Sequence, residues 1–144
     1  MKKLWIAIPV VVLAVVILFG LIQLVPYGRN HTNPAVVKEA AWDSPQTREL
    51  AVRACFDCHS NATIWPWYTN IAPFSWLIQA DVDRGRRALN FSAWNGVSRR
   101  VNQVGNQISS GRMPPFYYTP LHPSANLTSA EKQQLITGLE NSLK

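Results

Sequence analysis

The sequence predicts an all-α chain of one N-terminal membrane helix and a domain of four to five further helices. Three observations predict it. Residues 4–25 carry no charge and a single amide, about the length a helix needs to cross a bilayer. Beyond them, apolar residues recur at spacings of three and four, set between helix start and stop signals. And a five-residue string, Cys55-Phe56-Asp57-Cys58-His59, has no βαβ alternation around it and fits one helical turn. At 144 residues the chain is long enough for one domain.

Lys2 and Lys3 precede the apolar run, and basic residues hold the near end of such a span in the cytoplasm. A cleaved signal would have a shorter apolar core and a small-x-small site after it. Gln23-Leu24-Val25-Pro26-Tyr27 is a poor one. Residues 1–25 therefore read as an uncleaved signal anchor. The rest of the chain is expected on the periplasmic side of a bacterial inner membrane. Residues 26–42 read as a linker, because Pro26, Gly28, Asn30, Asn33 and Pro34 turn or break the chain. His31 within it is expected to be solvated.

Residues 43–144 form the expected domain. Its first helix starts at Asp43 or Ser44, either of which can cap, with Pro45 in the first helical position. It runs through Leu50, Ala51 and Ala54 into the cysteine string. A second helix starts near Pro73 and carries Phe74, Leu77, Ile78 and Val82 to about Arg87. A third runs from about Val97 to Ser109 on Val97, Val101, Val104 and Ile108, and Gly111 ends it. Thr128 and Glu131 form a capping box for the last helix. Its Leu135, Ile136, Leu139 and Leu143 face inward, against the first helix.

Cys-x-x-Cys-His is the attachment signature of a c-type haem. Each thiol adds across one haem vinyl group, and two intervening residues let both sulfurs reach from one turn. The adjacent imidazole can then ligate the iron. Cys55 and Cys58 are the only cysteines. A zinc site needs further ligands, and no second Cys/His pair follows. A thioredoxin-like pair would sit in a βαβ context. The expectation is one covalent haem c in a cytochrome c-like domain, with His59 as an axial ligand.

Met113 is the expected second ligand. It is the only methionine besides the initiator, lies 54 residues after His59, and sits in a loop stiffened by Pro114 and Pro115. Methionine/histidine ligation raises the potential and suits electron transfer. His122 is the rival, through bis-histidine ligation. Trp65, Trp67 and Tyr68 crowd the loop after the string. They are expected to wall the haem, and at least one to donate a hydrogen bond to a propionate.

The net charge is +6. Arg84, Arg86, Arg87, Arg99 and Arg100 form local clusters, either a solvated helical face or a docking surface for an acidic redox partner or anionic headgroups. The expected location leaves no role for nucleic acid. No Ser/His/Asp order, glycine-rich phosphate loop or paired carboxylates mark an enzyme. The expected function is single-electron transfer between redox proteins, a donor and an acceptor. A haem peroxidase, or a gas or redox sensor with a displaceable sixth ligand, is the alternative.

Longer strings carry a resemblance. Cys55 through Asn61, Trp65-Pro66-Trp67-Tyr68, Ile71-Ala72-Pro73 and Ser75-Trp76-Leu77 occur in order. They are followed by Asp81-Val82, Gly85-Arg86, Leu89-Asn90-Phe91-Ser92, Met113-Pro114-Pro115 and Leu121-His122-Pro123. Over roughly residues 40–144 the chain resembles the bacterial haem-binding domain family, which is similar to membrane-anchored c-type cytochromes. The resemblance implies one covalent haem, thioethers at Cys55 and Cys58, His59 as axial ligand and Met113 as the second.

Overall fold

The structure, a computed structural model, describes residues 2–94 and 101–143, with side chains at 7–94 and 103–143. Six α-helices are found among them: α1 (Lys2–Ile22), α2 (Pro45–Ala54), α3 (Phe56–His59), α4 (Phe74–Ala88), α5 (Val101–Ser109) and α6 (Ser129–Ser142). Two short 3₁₀ turns, Trp67–Asn70 and Pro123–Ala125, join them. The chain is all-helical, with one isolated parallel bridge between Lys38 and Ala93 among the described residues.

The transmembrane expectation is corrected. Among the described residues, no helix is long and apolar enough to cross a membrane. Helix α1 closes at Ile22, and Gln23 turns to bind the backbone of Ala72, so the helix does not run the length of the apolar stretch. The single-pass inner-membrane placement, with the domain on the periplasmic side, falls with it. The side chains of Lys2 and Lys3, the expected start of the third helix at Val97 and the Arg99-Arg100 pair lie outside the described residues.

The chain divides into two compact units. The first comprises Met1–Thr32 and Trp65–Ala80. Its organiser is Gln23, whose amide nitrogen donates to the Ala72 carbonyl (2.9 Å) while its oxygen accepts from the Ala72 N–H (3.0 Å). Arg29 donates to that same oxygen at 3.0 Å. His31, expected to be solvated, instead stacks on Trp65 with ring centroids 4.8 Å apart. Its Nε2 lies 3.2 Å from the Thr69 carbonyl.

The second unit comprises Asn33–Ile64 and Asp81–Lys144 and holds the hydrophobic core. Leu50, Ala51 and Ala54 of α2, Phe56 of α3, Phe91, Trp94, Ile108 of α5 and Leu127, Leu135, Leu139 and Leu143 of the C-terminal segment pack together. Helix α2 starts as its sequence dictates. Ser44 accepts from the Thr47 N–H at 3.1 Å, and Pro45 takes the first position. Helix α6 opens on the capping box. Thr128 Oγ1 accepts from the Glu131 N–H (3.2 Å), and Glu131 accepts from the Thr128 N–H (2.8 Å). Helix α6 crosses α2 at Gly138, where a Cβ would come within 2.0 Å of Thr47 Oγ1. Helix α5 ends at Gly111, whose φ of +71° is easy only for glycine.

Part of the segment read as a linker is woven into this unit. The Ala40 N–H donates to the Phe91 carbonyl (3.1 Å) and the Trp94 N–H to the Lys38 carbonyl (2.9 Å). Ala40 is a core residue. Asn33 donates to the Thr63 carbonyl at 2.8 Å. Two extended stretches with free backbone groups satisfy each other, a pairing that composition cannot reveal.

Candidate cofactor site

The cysteine string does not continue α2 as one unbroken helix. Helix α2 closes at Ala54, Cys55 departs from helical geometry (φ −129°), and a new turn, α3, begins at Phe56. The Cys58 and His59 amides both donate to the Cys55 carbonyl, at 3.2 and 2.9 Å. Both sulfurs and the imidazole are thereby carried by one tight piece of backbone.

The two residues between the cysteines perform opposite tasks. Phe56 is buried and packs within an aromatic group, its ring 5.6 Å from Phe91 and 6.0 Å from Trp42. It fastens the turn to the core. Asp57 faces the loops. Its Oδ1 accepts from the Ile64 N–H (2.9 Å) and its Oδ2 from the Tyr118 hydroxyl (2.5 Å), while its carbonyl accepts from Thr63 Oγ1 (2.7 Å). Ser60 seals the exit, donating to the Phe56 carbonyl at 2.7 Å. Arg86 reaches across from α4 to the Ser60 carbonyl (2.8 Å) and Thr63 Oγ1 (2.9 Å).

Helix α4 comes very close to the turn at Gly85. A Cβ there would lie 2.2 Å from the Cys58 carbonyl oxygen. The approach also brings the chain end of α4 over His59, whose Nδ1 lies 3.0 Å from the Leu89 carbonyl. A carbonyl can only accept, so Nδ1 carries the proton and Nε2 keeps its lone pair, the state a metal ligand needs. Burial draws the His59 pKa below the ordinary histidine value, opposed by the Leu89 and Gly85 carbonyls. The ring is neutral at pH 7, again as ligation requires.

Cys55 and Cys58 are free thiols, each partly exposed. Desolvation pushes both pKa values up to about 12, with the neighbouring thiol adding to it at Cys55 and the Asp81 and Asp57 carboxylates at Cys58. They are protonated near neutrality. Among the described residues, no group of three or more His, Cys, Asp or Glu side chains converges as a metal cage would. Two thiols and a neutral imidazole on one turn are a donor set that fits a porphyrin.

Met113 lies in the loop that follows α5, where its N–H donates to the Gln107 carbonyl at 3.1 Å. It is 39% exposed. His122 stacks on the Tyr118 ring, with centroids 3.9 Å apart and planes 8° from parallel. Its Nδ1 is 3.9 Å from Asp57 Oδ2. Trp65, Trp67 and Tyr68 belong to the first unit. Trp65 stacks on His31, and Trp67 meets Tyr68 edge to face at 5.9 Å. Trp67 is largely exposed.

Sequence reasoning treated Phe56 and Asp57 as spacers, gave Leu89 no role beyond the string that carries the resemblance, and overlooked Tyr117 and Tyr118. One signal was available: an acidic residue inside an apolar turn demands partners, and two adjacent tyrosines beyond the methionine loop could supply them. The Leu89 carbonyl had none, since a backbone acceptor is invisible in residue identity.

A helical turn offering two thiols and an imidazole with one available nitrogen, on an all-helical scaffold, is the class of site that holds a porphyrin. The chain belongs to the haem-binding domain family: that family's model matches residues 17–141. Haem is accordingly its cofactor. No curated protein and no solved structure matches the chain.

Proposed function

We propose that the protein is a c-type cytochrome that carries single electrons between a donor and an acceptor protein. Cys55 and Cys58 hold the haem as thioethers, His59 Nε2 ligates the iron, and Met113 is the second ligand. The haem supplies the redox chemistry, a one-electron change at iron. The chain supplies the rest. Helix α3 and its N-cap Cys55 offer both sulfurs from one turn, and the Leu89 carbonyl fixes the His59 tautomer and adds basicity to Nε2. Phe56 and Gly85 hold the turn against the core and α4. The observation that carries the reading is this His59 arrangement beside two thiols. The imidazole has its Nδ1 proton held by a backbone carbonyl and its Nε2 lone pair left over, on the same turn as both thiols.

The test is mass spectrometry of the purified protein under denaturing conditions. The expected result is one haem mass added to a peptide containing residues 55–59, lost in the C55S/C58S variant. A colourless protein, or haem that extracts into acidified solvent, would overturn covalent attachment. The visible spectrum tests the ligands. A low-spin spectrum with a methionine-to-iron band is expected, and the M113A variant should lose that band.

One observation favours a second reading. Met113 is 39% exposed, and a thioether is a weak ligand, so an outside molecule could compete for its place. A peroxidase or a sensor of diatomic gas would use such an opening. A high-spin ferric spectrum in the wild-type protein would favour it over electron transfer.

A further inference from the structure

Two consecutive tyrosines beyond the methionine loop grasp two different carboxylates. Tyr118 Oη donates to Asp57 Oδ2 at 2.5 Å, and Tyr117 Oη donates to Asp81 Oδ2 at 2.8 Å. Asp57 is inside the attachment turn, and Asp81 lies on α4. Asp57 immediately precedes Cys58, the second of the two cysteines. The Tyr118 ring is further held by its stack on His122, whose Nδ1 faces the same Asp57 oxygen. A hydroxyl donating to a carboxylate makes a charge-assisted bond, about twice as strong as a neutral one. Upstream, the Arg112 and Met113 amides both donate to the Gln107 carbonyl, at 3.0 and 3.1 Å. The loop is thus tied to α5 at its start and to the attachment turn at its far end, with Met113 between.

We propose that Tyr118 is a positioning residue: its bond to Asp57, seconded by Tyr117 on Asp81, tethers the 113–122 loop to the attachment turn and sets how readily an outside ligand displaces Met113 from the iron. The proposal rests on the assignment of Met113 above. Asp57 thereby has a role besides spacing the cysteines. It makes the position of the second ligand depend on the turn that carries the first.

The test uses the haem-loaded, full-length protein and its Y118F and D57N variants. Phenylalanine keeps the stack on His122, and asparagine keeps an acceptor for the Ile64 N–H, so each change removes chiefly the one bond. Cyanide titration of the ferric form reads displacement of the second ligand. Hydrogen exchange of the amides of residues 111–122 reads opening of the loop. Loss of one charge-assisted bond should tighten apparent cyanide affinity about tenfold and speed loop exchange about tenfold in Y118F. D57N should follow, and the double variant should go no further than Y118F, because both changes remove the same bond. Unchanged cyanide affinity in Y118F overturns the proposal, whether or not exchange rises, because the loop would then move without governing the iron. A wild-type spectrum without the methionine band sinks the Met113 assignment and this control with it. A wild-type band with an unchanged Y118F response sinks the tether alone.

Discussion

At the scale of single residues, the site is built from small exclusions. Gly85 lets α4 approach α3 until the Cys58 carbonyl fills the space a side chain would need. That contact is to backbone, so no rotamer change relieves it. The G85A variant should lose about 3 kcal/mol of stability, the upper end for overpacking, read from the midpoint of urea unfolding. It should also retain less haem. His59 depends on the Leu89 carbonyl for its tautomer, and that partner came from a position 30 residues away. The cysteine string was legible as a haem signature, because its chemistry is set by residue type and spacing. What Phe56 and Asp57 do between the cysteines was not legible. One faces the core and the other the loops, and only the packed chain distinguishes those sides.

Helices were read well wherever their ends carry local signals. Ser44 and Pro45 start α2, Thr128 and Glu131 start α6, and Gly111 ends α5. Each works within four residues. Removing the cap with T128A should cost about 1 kcal/mol, seen as a lower thermal midpoint. Glu131 also gives α6 a pH dependence. The Thr128 amide, then Arg53 at 2.7 Å, hold its pKa at about 2, below the roughly 4.3 of an unfolded chain. A depressed carboxylate pKa stabilises the fold above the unfolded value. The contribution is lost as pH falls from about 4.3 through about 2. In E131Q the thermal midpoint should fall less steeply across that window. The crossing of α6 over α2 is a separate matter. In G138A a methyl group would come within 2.0 Å of Thr47 Oγ1 and 2.8 Å of its Cβ, so the T47A/G138A pair should recover only part of the lost stability, since the Cβ of residue 47 remains. The break at Cys55, where one helix was expected to run on, carries no proline or glycine to announce it.

For the molecule as a whole, the two thiols set an alkaline limit on the haem-free chain. Both have folded pKa values near 12, raised from an ordinary value of 9. Between those values the unfolded chain has released protons that the folded chain still binds, so stability falls as pH rises through the window. Urea unfolding of the haem-free protein should show this decline, on the order of a few kcal/mol in all. The C55A/C58A variant should lack it. At this scale the first reading also met its correction. Hydropathy alone marked residues 4–25 as a membrane span, whereas no described helix is long and apolar enough to be one.

By itself the sequence determined the helical class, the capped ends of α2 and α6, and the string that presents two sulfurs and an imidazole. All of these arise from interactions between residues a few positions apart, which side-chain type and spacing specify directly. Only the tertiary structure decided that Leu89 faces His59, that Gly85 admits Cys58, that Asp57 holds Tyr118, and that residues 38–40 pair with 91–94. Those partners stand between about 27 and 61 positions apart, and contacts of that range are settled by how the core closes.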